Sequence, residues 1–240
     1  MSNSLPSPKD ATQLLVELRR HTKSKHDEIP GVGLSPRMTL LRTWQTERLS
    51  HTYSDLLESR RYGAASRFFL DDIYAPKDFS QRDHDIERMH AFMRRFIPER
   101  IIHSLTLAVE LNTLTRQLDD ALLNALTQLG MTDALTADLY AEAYRRCDNY
   151  NERVKQIDYI VEIGQGLGKL ARLPLIGMSL RLARGPAHQA GWFELQDFLE
   201  RGLAAFKTMR GTKEFLRIVQ EREMRILDNI FSAAPNPFDI

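Results

Sequence analysis

The feature that most constrains this chain is the spacing of its large apolar residues, which recur at every third or fourth position over most of its length. Side chains three and four positions apart share one face of an α-helix, whereas a half-buried strand alternates with a period of two. No alternating segment of convincing length, internal repeat or low-complexity tract is present. The pattern predicts an all-α protein, a bundle of about eight helices without a significant sheet.

Serine–proline pairs mark the start of the first two predicted helices. Ser7-Pro8 and Ser35-Pro36 each place a capping hydroxyl before a proline, whose missing N–H is not needed in the first turn. Residues 22–34 contain one proline and two glycines and are predicted to form a loop. The helix after Pro36 carries a face with helical spacing, made of Leu41, Trp44, Arg48, Leu49, Tyr53 and Leu56.

Four further helices are predicted as far as Val161. One carries Tyr62 and Ile73, and the next runs from Asp78 or Ser80 to about Phe96, because Pro98 disfavours helix in the residue before it. Residues 98–129 form a long amphipathic face that Gly130 ends. The longest helix is expected to begin at Thr132 and to carry a heptad-like seam. The seam consists of Leu139, Ala143, Cys147, Tyr150, Val154, Ile157 and Val161.

Glycine and proline punctuate the chain between positions 164 and 186. The spacing Gly164-x-Gly166-x-Gly168 favours close helix packing or a hinge, since a dinucleotide site needs a strand before it. A further helix is predicted to start at Pro186, and Gly211-Thr212 to separate it from the last one. We expect one domain, made of four parts. They are an N-terminal helix and loop (1–34), a main bundle (35–163), a basic segment (164–186) and a C-terminal helical pair (187–240).

Composition excludes several classes of function. Apolar residues make up 42% and charged residues 27%, as in ordinary globular proteins, and the formal net charge of +1 gives no global field for nucleic acid. Cys147 is the single cysteine, so an internal disulfide and a cysteine-rich zinc site are excluded. No signal-like amino terminus and no run of about 18 apolar residues is present. We expect a cytoplasmic protein without a transmembrane segment, for which contact with a membrane surface stays open.

The most distinctive stretch lies between Phe68 and Glu87 and contains several aromatic residues and six carboxylates. One interpretation is a ligand site at a helix–turn–helix corner, in which Asp72 and Asp83 orient Tyr74 and Arg82, and an anionic ligand docks on the guanidinium. The other interpretation is structural, because acids stabilise a helix start and Arg82 can pair with Asp72 to hold the corner.

The same stretch resembles a phrase found in a group of proteobacterial hypothetical proteins. Their phrase reads Phe-Phe-Leu-x-Asp-Leu-Tyr-Gly-Pro-x-Asp-Phe followed by Arg-Asp. Here Ile73 and Ala75 stand in place of the leucine and glycine. Residues 195–206 are also similar to that group, so the resemblance covers the middle and the carboxyl third of the chain. It implies a helical fold and assigns no chemistry.

Histidine and glutamate spacing offers a metal or haem site as an alternative. Glu87 and His90 have the Glu-x-x-His spacing that diiron bundles use twice, but only one copy is present. His103 and Glu110, seven residues apart on the next helix, could complete a site if the two helices are antiparallel. Iron, zinc or haem is the alternative expectation, and the main expectation is that no cofactor is bound.

Charge is segregated along the chain. From Ile163 to Phe193 there are four bases (Lys169, Arg172, Arg181 and Arg184) and no acid, whereas residues 104–162 hold ten acids and five bases. A basic amphipathic segment can lie on an anionic membrane or in a partner's groove. Alternatively, its bases pair with the acidic helix before it, as part of the structure.

Three functional hypotheses follow. The first is a non-enzymatic helical binding or regulatory protein for a small molecule or a protein partner, with a homodimer as one form. The second is a metal- or haem-dependent enzyme or sensor that uses Glu87, His90 and His103. The third is peripheral membrane association through residues 163–186.

Overall fold

The structure, a computed structural model, describes residues 34–73, 99–173, 176–189, 191 and 193–240. Its helices are α1 (Pro36–Thr52), α2 (Ser54–Glu58), α3 (Gly63–Phe68) with the π-helical turn (Phe69–Ile73), α4 (Glu99–Gln128), α5 (Ala137–Arg146), α6 (Tyr150–Ala171), α7 (Ile176–Gln189), α8 (Phe193–Thr208) and α9 (Lys213–Phe231). No strand occurs in these ranges, so the predicted all-α class is confirmed. The predicted helices after Ser7 and after Asp78 lie outside the described residues.

The start of α1 follows the prediction. The Ser35 hydroxyl accepts a hydrogen bond from the backbone N–H of Met38 at 3.2 Å, and Pro36 occupies the first helical position. The single helix predicted through Leu56 is interrupted at Tyr53, whose backbone leaves the helical region, so α1 and α2 are separate. Leu49, Tyr53 and Leu56 are nevertheless buried together, as their spacing predicts.

The prediction for the longest helix is wrong. The segment from Thr132 to Val161 contains two helices. The first helix ends at Arg146, and Asp148 takes the left-handed conformation with φ 48°. Aspartate tolerates that conformation and competes for backbone hydrogen bonds, which a heptad count does not register. The first of the two helices begins at Ala137, where the Thr136 hydroxyl caps it. The longest helix in the described ranges is α4, with 30 residues.

The predicted helix start at Pro186 is also wrong, since Pro186 lies inside α7. A proline inside a helix leaves the carbonyl four residues earlier without its usual N–H partner. That carbonyl belongs to Leu182, a highly exposed residue, so water can satisfy it at the surface. After α8, Gly211 has φ +143°, and Thr212 then opens α9 at the predicted place.

Two larger apolar clusters and one smaller cluster hold the described helices together; the smaller one joins α5 to α9 through Ala141, Ile226 and Ile230. The first of the larger clusters joins α1, α2, α3, α6, α8 and α9 around the buried side chains of Phe68, Phe206 and Phe215. The second joins α1, α4 and α5 around Leu41, Leu122, Leu126, Met131 and Tyr140. Phe238 of the C-terminal tail closes the second cluster, with its ring centroid 5.3 Å from that of Trp44.

The glycines of α6 allow α9 to approach closely. A Cβ atom on Gly164 would lie 2.5 Å from Cδ2 of Leu216, and one on Gly168 would lie 2.6 Å from Cγ2 of Thr212. Both distances are far below van der Waals contact, and α6 continues as a helix to Ala171. The geometry therefore corresponds to the close-packing interpretation of this glycine pattern.

None of the helices described above combines the length and the apolar character needed to cross a bilayer.

Candidate functional site

Asp72 is the member of the predicted corner site that the structure describes. It lies in the π-helical turn, and its Oδ1 accepts hydrogen bonds from Nε (2.9 Å) and Nη2 (2.6 Å) of Arg201 on α8. This ion pair ties the turn to α8. Tyr74, Arg82 and Asp83, the other three residues of the predicted site, lie outside the described residues.

The predicted metal ligands His103 and Glu110 each contact a side chain of α6. His103 Nε2 lies 2.8 Å from Oε1 of Glu162, and the Tyr159 hydroxyl donates to Glu110 Oε2 at 2.7 Å. The partners of the two residues, Glu162 and Tyr159, are three positions apart on α6. The part of the chain that the structure describes holds no group of three histidine, cysteine, aspartate or glutamate residues able to bind a metal. Glu87 and His90 lie outside it.

The basic segment forms the most exposed apolar surface in the described ranges. Among the described residues, five large apolar side chains are exposed. Four of the five belong to this segment or flank it: Leu173 (43% exposed), Met178 (60%), Leu182 (75%) and Phe193 (47%). Met178 and Leu182 are four residues apart, so they share one face of α7. We call this pair the outer face of α7.

The opposite face of α7 is fixed on α8. The Gln196 side chain donates to the backbone carbonyl of Leu180 at 2.7 Å. Arg184 Nε donates to Oε1 of Glu200 at 2.6 Å, and this hydrogen bond lowers the pKa of the Glu200 carboxyl to about 2. Because α7 contacts α8 through the face opposite to Met178 and Leu182, its outer face is exposed to solvent.

Of the four basic residues in the basic segment, Arg184 is the one that forms an ion pair with a carboxylate of the described residues. Its partner Glu200 comes after the segment, not from the acidic helix before it. Lys169, Arg172 and Arg181 are exposed, and no carboxylate of the described residues lies within ion-pair distance of them. The segment therefore presents positive charge beside exposed apolar side chains.

A buried polar network, which the sequence analysis did not identify, connects α1 with α4 and α6. Asp119 accepts a hydrogen bond from Gln45 Nε2 at 3.3 Å and lies 3.8 Å from Nε of Arg42. Burial raises the pKa of the Asp119 carboxyl, although Arg153 and Arg42 oppose that shift. Arg153 donates to the Leu118 carbonyl at 3.2 Å, which holds α6 against α4.

A partly buried ion pair joins α1 to α9. Arg48 Nη1 donates to Glu223 Oε1 at 2.7 Å, and the Tyr53 hydroxyl donates to the same oxygen at 2.8 Å. Burial alone would lower the pKa of Arg48, but Glu223 raises it overall, so the arginine stays charged. The sequence contained a signal for this pair, because Arg48 is the one charged residue in the apolar series of its helix. These pairs position the helices relative to one another.

Comparison with known proteins gives a family without a described activity. A family model described as a domain of unknown function (DUF8198) matches residues 24–237. No curated protein and no solved structure matches the chain. The match includes α7 with its outer face, the ion pair between Arg42 and Asp119, and the ion pair between Arg48 and Glu223. The chain is therefore a member of the DUF8198 family.

Proposed function

We propose that this protein is a binding protein that attaches to an anionic membrane surface through α7. The observation that supports this most strongly is the outer face, where Met178 and Leu182 are exposed on a helix whose other face is already fixed on α8. A surface helix normally has one apolar stripe, directed to the core. A second, outward apolar patch is typical of an interaction surface.

The charge beside the outer face favours an anionic partner. Each base near an anionic lipid surface contributes about 1 kcal/mol of attraction, and burying a leucine side chain contributes about 1.5 to 3 kcal/mol. Lys169, Arg172 and Arg181 supply three such bases, and the outer face supplies two apolar side chains. Attraction and insertion together give reversible attachment, as for other interfacial amphipathic helices.

Two other occupants fit the outer face less well. A symmetric dimer through α7 would place the Arg181 side chains of both copies in the same small interface, where like charges repel. An acidic protein would match the charge, but Met178 and Leu182 occupy about one turn of a convex helix. A stable protein interface buries about 800 Å² on each partner. A lipid surface needs no complementary shape.

Co-sedimentation with vesicles tests the proposal. We expect the protein to sediment with vesicles of phosphatidylcholine and phosphatidylserine at low salt, and less at high salt because the charges are screened. Leu182→Ser and Arg181→Gln should each reduce the bound fraction. Matched controls elsewhere are Ile240→Ser, an exposed apolar residue, and Arg116→Gln, an exposed base; both should bind like the wild type.

Two results would overturn the proposal. One is wild-type protein that stays in the supernatant with anionic vesicles at low salt. The other is a stable dimer in native mass spectrometry that Leu182→Ser dissociates, since the outer face would then be occupied by a second copy.

A further inference from the structure

We infer that the corner between α8 and α9 binds a phosphate group. Arg61 lies between α2 and α3, and Arg172 follows α6, yet their guanidinium groups converge on Gly211. A Cβ atom on Gly211 would lie 3.4 Å from Nη2 of Arg172 and 3.9 Å from Nη2 of Arg61. The two nitrogens are therefore no farther apart than the sum of these distances, which a single phosphate with its several oxygens can bridge.

The converging charges are not balanced by acids of the described chain. Arg61 Nε donates to the Met209 carbonyl at 2.9 Å, and its guanidinium stacks 4.9 Å from the centroid of the Tyr62 ring. These contacts orient the side chain without neutralising it. Glu214, the first acid after the corner, accepts a hydrogen bond from Arg217 at 2.9 Å.

Further basic residues lie next to Gly211 in the sequence. Lys207 and Arg210 precede Gly211, and Lys213 follows it; all three are exposed. Like charges held together repel one another, and an anion between them relieves that repulsion. The guanidinium pair with its neighbouring bases is the feature on which the inference depends.

The N-terminus of α9 adds positive electrostatic potential near the two guanidinium groups. Thr212 occupies the cap position, but its side chain makes no capping hydrogen bond. It is buried and packs against Gly168 instead. The first N–H groups of this 19-residue helix are thus left without a side-chain acceptor, next to the guanidinium pair.

Planar guanidinium groups recognise phosphate in a bidentate manner, so a phosphate monoester fits this corner better than a single carboxylate. The corner also adjoins the start of α7. Lys207 Nζ lies 2.9 Å from the position of a Cβ on Gly177, and Arg172 is followed directly by the exposed Leu173. The phosphate could belong to a lipid headgroup or to a free phosphate compound. The headgroup assignment rests on the proposed function, whereas the phosphate site itself does not.

Calorimetry with inorganic phosphate tests the site on the full chain. We expect wild-type protein to bind phosphate, and Arg61→Gln and Arg172→Gln each to weaken binding by about tenfold, the effect of losing one charge-assisted hydrogen bond of about 1.4 kcal/mol. Arg60→Gln, an exposed neighbour, is the matched control and should bind like the wild type. Arg61→Lys, which keeps the charge and loses the planar fork, should be intermediate. Circular dichroism verifies that each variant is folded.

Vesicles distinguish the two sources of phosphate. If Arg61→Gln, which leaves Arg172 in place for the anionic lipid surface, loses binding to vesicles with phosphatidic acid but keeps it with phosphatidylserine, the ligand is a headgroup phosphomonoester. If it loses inorganic phosphate and binds both vesicles like the wild type, the ligand is a free phosphate compound. Wild-type protein that binds phosphate and no vesicle refutes the membrane function alone. Wild-type protein that binds vesicles but no inorganic phosphate, with an Arg61→Gln variant that matches it on both kinds of vesicle, refutes the phosphate site alone.

Discussion

The approach of α9 to α6 can be tested by adding one methyl group at Gly164. The new Cβ of Gly164→Ala would lie 2.5 Å from Cδ2 and 3.1 Å from Cδ1 of Leu216. Leu216 is buried in the first apolar cluster, so it cannot rotate into open space. Overpacking of this kind costs about 1 to 3 kcal/mol. Alanine has a helix propensity about 1 kcal/mol better than glycine, which offsets part of that cost.

Gly185→Ala is the matched control, because it also lies in a helix but a Cβ there would meet nothing within 4 Å. We expect Gly185→Ala to be neutral or to stabilise by up to about 1 kcal/mol. Gly164→Ala should instead lose between roughly 0 and 2 kcal/mol of unfolding free energy. For a chain of this size, each 1 kcal/mol corresponds to a change in Tm of about 2 to 4 °C.

Urea denaturation followed by circular dichroism measures both variants, provided that the m-value is unchanged. Leu216→Ala removes the atoms with which the new methyl group clashes, so adding Gly164→Ala to that background should be stabilising. The double-mutant cycle should therefore give a favourable coupling of about 1 to 3 kcal/mol. The reasoning is refuted if Gly164→Ala alone stabilises the protein as much as Gly185→Ala does.

Two further predictions concern pH. The pKa of Asp119 is raised above its ordinary value of 3.8, so its effect on stability is most favourable below that pH and is lost as the pH rises through the folded-state pKa. Asp119→Asn should therefore gain stability relative to the wild type as the pH rises above 3.8 in urea titrations, and a constant difference would contradict this. The pKa of Glu200 is lowered to about 2, so its stabilisation is present above the ordinary 4.5 and is lost as the pH falls. Protection of the α7 amides against hydrogen exchange, relative to the intrinsic rate at each pH, should therefore fall below about pH 4 in the wild type and already be low at neutral pH in Glu200→Gln. Equal protection in the two proteins would show that the Arg184–Glu200 pair does not hold the helix.

Local signals in the sequence predicted much of the fold. The helical class follows from the period of the apolar residues, and the start of α1 follows from Ser35 and Pro36, whose effects are confined to one turn. The break at Asp148 was missed because apolar residues continue at heptad-like spacing across it. Pro186 was misassigned because a proline is tolerated inside a helix where the affected carbonyl faces solvent.

The candidate sites were predictable only in part, because their properties depend on residues distant in sequence. The four bases of the basic segment are evident in the sequence, but Arg184 is neutralised by Glu200, which can be learned only from the packing of α7 on α8. Likewise, Arg61 lies more than 100 residues before Arg172. Their convergence on Gly211 depends on three helix ends meeting, which no local pattern encodes.

The most direct measurement of the central claim places a polarity-sensitive fluorophore on the outer face of α7. Cys147→Ala removes the single native thiol, and Leu182→Cys provides the labelling position. On vesicles that contain phosphatidylserine, emission from position 182 should shift to the blue and reverse at high salt, whereas a label at Ile240→Cys should not change. Emission at position 182 that stays the same with and without anionic vesicles at low salt would contradict the attachment of α7 to the membrane.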